Sequence, residues 1–241
     1  MVVKRPTQFV TFTTGSMSRN ILLRSCFRVS ALTLMSLLAA MPLHSQQRRA
    51  QSGSGGEPPR DSWQRVDDII AAMGNIAGKQ VADVAAGQGY LTSHLARAVG
   101  RNGRVFAVEI GDAEVAQLQA LAQRDSMRNI EVVKGTPTDP KLRTGLDAAV
   151  VLNSYHEFKE HHAMLVAIRT ALKPGGLLVL VDNNHPATSM SRDEQASRHG
   201  LSPSFVEKEL IAAGFEIVNR IDTFIDRPMT QQWMFVARRT K

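Results

Sequence analysis

Two short segments of this 241-residue chain carry residue types whose spacing suits chemistry. The first is D-V-A-A-G-Q-G-Y, running from Asp83 to Tyr90. Its small residues are Ala85, Gly87 and Gly89, and small residues in a strand-to-helix turn let a ligand approach the backbone closely. The helix after such a turn offers free N–H groups and a partial positive charge. Glu109 follows Asp83 by 26 residues and sits at the end of the next apolar run. An acid there can accept both hydroxyls of a ribose. Turn and acid together describe a site for an adenosine-containing ligand.

The second segment is N-S-Y-H-E, from Asn153 to Glu157, directly after an apolar run. Histidine as a residue type titrates near neutrality, so His156 is placed to take a proton from a reacting group. Glu157 is the candidate to orient it, and Tyr155 the candidate to line a ligand pocket by ring contact. His156 and His161 are five residues apart. On a helix that spacing is about 140° at ~100° per residue, so the pair does not make the one-faced zinc site of H-E-x-x-H. No metal site is expected, and His161 and His162 read as surface histidines.

The elements that must hold these residues follow from periodicity. Residues 63, 66, 69, 70 and 73 are apolar at helical spacing, and Gly74 ends the run. Short apolar strands are expected over 79–86, 104–110, 130–133, 147–152 and 177–181. Helices are expected over 91–99, 113–123, 158–172 and 202–213, with K-P-G-G at 173–176 stopping the third of them. Strand-like segments follow at 216–224 and 232–237. Strands that alternate with helices and lack polar alternation form a mostly parallel sheet covered on both faces. The fold class is therefore α/β, a doubly wound Rossmann-like sheet. Ligands bind such sheets at the carboxyl ends of the strands, where both chemical segments fall. The long polar stretch 183–201, with His185 and His199, is placed to cover the acceptor side.

A dinucleotide turn wants a third small residue, yet Tyr90, Leu91 and Thr92 follow Gly89. Asp83 also suits a cation better than a phosphate. S-adenosylmethionine carries an amino group and a sulfonium and no phosphate. With these residues the chain resembles the class I S-adenosylmethionine-dependent methyltransferases, and within them a subgroup of small bacterial proteins. Asp83, Gly87 and Gly89 match the family's first motif, with Ala85 in place of its first glycine. That replacement is tolerated as long as the φ of Ala85 stays negative. L-K-P-G-G at 172–176 matches the turn before the fifth strand. The resemblance implies a seven-stranded domain, S-adenosylmethionine as cofactor and methyl transfer to a small-molecule or peptide acceptor. It implies that Glu109 holds the ribose, that Thr136 or Asp139 in G-T-P-T-D-P contacts the adenine, and that Asn153 lies beside the methyl end of the cofactor. A nicotinamide-dependent oxidoreductase and a non-catalytic adenosyl-binding module are the two rival readings.

Charge and hydropathy divide the chain into three parts. The formal net charge is +7, but Lys4, Arg5, Arg19, Arg24 and Arg28 stand without an acid in residues 1–45, and Arg48, Arg49 and Arg60 face only Glu57 in 46–60. Residues 61–241 sum to zero, which gives no clustered basic surface for nucleic acid. Three arginines precede an apolar run over 29–41, followed by Pro42 and a short segment ending at Ser45. That order is an export signal or an N-terminal anchor, and the run is shorter than the ~20 residues of a spanning helix. Cleavage would export the domain; without it the chain stays membrane-anchored or cytoplasmic. Any contact with a membrane would then run through this segment alone. Residues 46–60 are rich in Gly, Ser, Gln and Pro and read as a flexible linker, with the domain over 61–241. The sequence does not fix an oligomeric state.

Overall fold

Alternation along the strands explains the architecture. In the computed structural model, which describes residues 59–186 and 189–241, each central strand is apolar on both sides. Val81, Val105, Val150 and Val179 pack on one face with Leu91, Leu95 and Leu118. Ala82, Phe106, Val151 and Leu180 pack on the other with Leu165, Ile168 and Leu210. A strand buried on both faces has no polar side to show, so helices must cover both. The leader expected over 1–45 and most of the linker over 46–60 lie outside the described residues.

Seven strands form one sheet in the order β3-β2-β1-β4-β5-β7-β6. Strands β1 (Gln80–Val84), β2 (Arg104–Glu109), β3 (Ile130–Lys134), β4 (Leu146–Leu152) and β5 (Leu172–Asn183) run parallel to their neighbours. Strand β7 (Thr230–Arg239) runs antiparallel to β5, and β6 (Phe215–Arg227) antiparallel to β7. The reversal has a local cause. Arg227 pairs with Thr230, so only Pro228 and Met229 join the two strands. A two-residue connection permits no crossover and fixes an antiparallel pair.

Helices α1 (Val66–Ala72), α2 (Tyr90–Val99) and α3 (Asp112–Ala122) contribute to the first core face. Helices α4 (His161–Ala171) and α6 (Pro203–Ala212) contribute to the second, and the short α5 (Arg192–Ala196) precedes α6. Three elements differ from the periodicity reading. The helix expected from residue 63 begins only at Val66, because Arg65 takes a left-handed φ of 54° after a 3-10 turn over Arg60–Ser62. The helix expected from residue 158 begins at His161, and a separate 3-10 turn, Tyr155–Glu157, precedes it. K-P-G-G lies within β5 as a bulge, since Leu146 pairs with Leu172 while Ala148 pairs with Leu177.

The chain leaves β3 at one edge and returns as β4 on the other side of β1. That reversal opens a crevice at the carboxyl ends of β1 and β4, the switch point at which doubly wound sheets bind ligands.

Candidate active site

The glycine turn leaves β1 through three left-handed residues. Ala85 has φ 58°, Gly87 φ 56° and Gly89 φ 85°. The expectation that Ala85 keeps a negative φ is therefore corrected: the chain must turn sharply at the end of β1, and Ala85 takes a conformation that costs an L-residue about 1–2 kcal/mol. The two glycines serve different ends. A Cβ on Gly89 would sit 2.6 Å from Leu121 and 3.0 Å from Leu118, so a side chain there would push these leucines of α3 aside as well as strain a φ of 85°. A Cβ on Gly87 would meet nothing within 4 Å, because Gly87 faces the open crevice.

A cavity of about 550 Å³ opens there, lined among others by Ala85, Gly87, Glu109, Thr136, Ser154 and Glu157. It runs from the β2 end to the β4 end and so joins the two segments singled out by sequence. Glu109 accepts hydrogen bonds from the N–H of Gly87 at 2.7 Å and from that of Ile110 at 2.9 Å. These bonds fix its carboxylate at the rim of the glycine turn.

Asp83 is buried beneath the turn and accepts a 2.6 Å hydrogen bond from the Thr92 hydroxyl. Burial raises its pKa to about 6, against the Thr92 bond; Glu109 raises it further and Arg60 opposes. A carboxylate that burial makes costly to ionise is suited to a cationic group beside it.

Thr136 lines the cavity, whereas Asp139 turns away from it. The Asp139 carboxylate accepts the Lys141 N–H at 2.7 Å and pairs with its ammonium at 2.8 Å. Of the two adenine-side candidates, only Thr136 faces the crevice.

After β4, Asn153 takes a φ of 58° and its N–H donates to Val181 O at 2.7 Å. Asparagine tolerates that conformation better than most residues. The Asn153 side-chain oxygen accepts from Gln232 Nε2 at 2.7 Å, and the same nitrogen donates to Asn183 at 3.1 Å. Gln232 Oε1 accepts from Gln64 at 2.9 Å, and Gln64 accepts from Arg60 Nε at 3.0 Å. This relay, buried at its Gln64–Gln232 centre, ties the segment before α1 to the ends of β4, β5 and β7.

Tyr155 does not line the cavity by ring contact, contrary to expectation. The 3-10 turn swings it into the second core face, where it is fully buried and its hydroxyl donates to Glu209 at 2.6 Å. Burial pushes its pKa up, and the Glu209 carboxylate adds to the shift. Glu209 also accepts from Arg192 Nε at 2.7 Å, which fastens α5 to α6.

His156 is buried, and its partner is Asp182 at the end of β5. The Asp182 carboxylate lies 2.9 Å and 3.0 Å from Nδ1 and also accepts the His156 N–H at 2.7 Å. Glu157, expected to orient the ring, lies 3.8 Å from Nε2 with an exposed side chain. Burial alone would lower the imidazole pKa, but the hydrogen bond and charge of Asp182, with the charge of Glu157, outweigh it and raise the pKa, while Arg192 opposes. Sequence reasoning passed over Asp182, although an acid closing an all-apolar strand is the very signal that singled out Glu109. Among the described residues no group of three or more His, Cys, Asp or Glu could hold a metal ion.

The model of a family described as "Methyltransferase domain" matches residues 81–176, which include the glycine turn, Glu109, Thr136 and the N-S-Y-H-E segment. That stretch is similar to a methyltransferase domain. The chain is 25% identical over 127 residues to a demethylmenaquinone methyltransferase of Lactococcus lactis subsp. lactis (strain IL1403), a match covering 52% of this chain and 50% of that protein. It is 28% identical over 115 residues to a ubiquinone biosynthesis O-methyltransferase of Acinetobacter baumannii (strain AYE), covering 46% of this chain and 47% of the other. The chain thus spans about half the length of the curated relatives it matches. In fold it is similar to a SAM-dependent methyltransferase from Aquifex aeolicus, with a TM-score of 0.64 at 19% identity over 80% of this chain and 97% of that one.

The cofactor that these similarities imply is S-adenosylmethionine, and the donor set fits it. The Glu109 carboxylate suits the ribose hydroxyls, the Thr136 hydroxyl faces the same cavity, and buried Asp83 offers negative charge beneath the turn. The open Gly87 leaves room for the ligand against the backbone.

Proposed function

We propose that this protein transfers a methyl group from S-adenosylmethionine to a small-molecule or peptide acceptor. The observation that carries the reading is the single cavity that joins Glu109 and the glycine turn to Ser154 and Glu157. Bound there, the cofactor supplies a methyl group on a sulfonium, which is already activated for displacement. The chain's own task is then alignment, which lowers the barrier by holding both partners in reacting geometry. Asp83 favours the cationic end of the ligand, Glu109 and Thr136 hold the nucleoside, and the β4 end presents the acceptor. The neutral charge of residues 61–241 supports an acceptor other than nucleic acid. The basic, apolar order of residues 19–45 supports export or membrane anchoring of the domain through that segment. Fractionation of cells and N-terminal sequencing of the mature chain test that part.

Isothermal titration of the full chain with S-adenosylmethionine tests the main reading. Saturable binding, weakened at least tenfold by Glu109→Ala and absent with NADH, is the expected outcome. Binding of NADH instead would move the domain to hydride chemistry, and heat from neither ligand would remove the enzyme reading.

A further inference from the structure

Behind the cavity wall formed by Ser154, Glu157 and Phe158, the structure holds a buried histidine with one ring nitrogen unpaired. His156 Nε2 is shielded from solvent and has no hydrogen-bond partner among the described residues. An unpaired buried nitrogen costs free energy, so it asks for a function. Its other nitrogen is fully committed. Asp182, itself buried, faces Nδ1 with both oxygens and is pinned in turn by the backbone N–H groups of His156 and Asn183. A carboxylate held in this way keeps the proton on Nδ1 and leaves the Nε2 lone pair free. Ser154 and Glu157, on either side of His156 in the chain, both line the cavity.

Resting on the methyl-transfer reading, we propose that His156 is the general base of the reaction, that Asp182 positions it, and that the acceptor atom is a hydroxyl oxygen. The chemistry of acceptors selects the oxygen. A thioether or a neutral amine presents its lone pair without help. A hydroxyl holds its proton well above neutrality and becomes a competent nucleophile only as that proton leaves. In the step, the hydroxyl oxygen bonds to the methyl carbon and the carbon–sulfur bond breaks with its electron pair kept on sulfur. The hydroxyl proton passes to His156 Nε2. The imidazolium so formed is held by Asp182, and the proton then leaves to solvent as the product departs.

The charged and titratable groups around the ring come from each neighbouring element. Asp182 ends β5, Glu157 shares the 3-10 turn, and Arg192 belongs to α5. His199, in the segment before α6, meets the ring edge-on at 5.7 Å between centroids. The two carboxylates hold the proton on His156 to higher pH than usual, against burial and Arg192. The neutral, active form therefore grows in as pH rises above the ordinary imidazole range.

Nitrogen-15 NMR of the full chain with S-adenosylmethionine reads the tautomer directly. The expected neutral form carries its proton on Nδ1, and Asp182→Asn, whose amide can donate to Nδ1, moves the proton to Nε2. A wild-type ring protonated on Nε2 in its neutral form overturns the inference, whether or not the variant folds. The second measurement offers methyl-labelled S-adenosylmethionine with catechol, 4-nitrophenol, thiophenol and N-methylaniline. Label on oxygen is expected, with kcat lowered about 100-fold or more by His156→Gln. Asp182→Asn is expected to lower kcat at least tenfold and to move the acid limb of the pH profile to lower pH. Its KM for S-adenosylmethionine should not change. Label confined to sulfur or nitrogen, or on no compound, overturns the hydroxyl assignment. Failure of S-adenosylmethionine to bind at all would instead overturn the methyl-transfer reading beneath it.

Discussion

Asp83 shows how one residue can be costly to the fold and useful to the site. Its carboxyl is raised from 3.8 to about 6, first by burial. A folded pKa above the unfolded one means that the native state binds the proton more tightly, so stability falls as pH rises from about 4 to about 6. The two-unit shift corresponds to roughly 3 kcal/mol by the linkage conversion. A cationic ligand beside the carboxylate reverses the penalty and lowers its pKa. S-adenosylmethionine affinity should therefore rise as pH passes through about 6, with proton release on binding below that point. Asp83→Asn should raise the thermal midpoint of the ligand-free protein at pH 7.5, weaken the cofactor, and flatten the pH dependence of binding. Titrations at pH 5.0 to 8.0 in two buffers of different ionisation heat would measure this. An unchanged affinity across that range would remove Asp83 from the ligand's electrostatics. Asp83 and Glu109 were legible in the sequence because an acid inside or at the end of an apolar strand is conspicuous. The φ of Ala85 was not, because the side chain gives no sign of the turn its backbone must make.

The elements themselves were legible to different degrees, for physical reasons. Strands β1 to β5 are buried on both faces and announce themselves as apolar runs, whereas β6 is an edge strand with much of its length exposed. The turn holding His156 was not read as an element at all, since three residues are too few to impose a period of their own. Least legible was the amide relay, because its glutamines and asparagines lie 168 and 79 residues apart in sequence. That relay makes a prediction. Gln232 is buried and serves Gln64, Asn153 and Asn183 at once. In Gln232→Leu the half-buried Asn153 and Asn183 lose a partner that water can replace, but Gln64 is buried, and an unsatisfied buried group costs roughly 1–3 kcal/mol. The urea midpoint should fall with little change in slope, and Trp63 fluorescence should report a looser N-terminal segment. A midpoint within experimental error of wild type would mean that water satisfies the amides and that the relay does not seat the segment.

At the scale of the molecule, the site is not an appendage to one element. Its residues come from the ends of β1, β2, β4, β5 and β7 and from the segment before α1, so a ligand seated there binds the folded sheet and nothing in the unfolded chain. Mass action then stabilises the whole domain: ligand at 100 times its Kd adds about 2.7 kcal/mol. For a domain of ~150–250 residues, 1 kcal/mol moves the midpoint by about 2–4 °C, so saturating S-adenosylmethionine should raise it by roughly 5–10 °C. The size of the rise should track ligand concentration logarithmically. Glu109→Ala should shrink the rise at fixed ligand concentration, whatever it does to the ligand-free midpoint, because the comparison is between shifts. NADH should leave the midpoint where it is, since the turn after Gly89 lacks the small residue that brings a pyrophosphate close. A rise of equal size with NADH would mean that the crevice recognises adenosine alone. The burden of choosing methyl over hydride chemistry would then fall entirely on Asp83 and the His156–Asp182 pair.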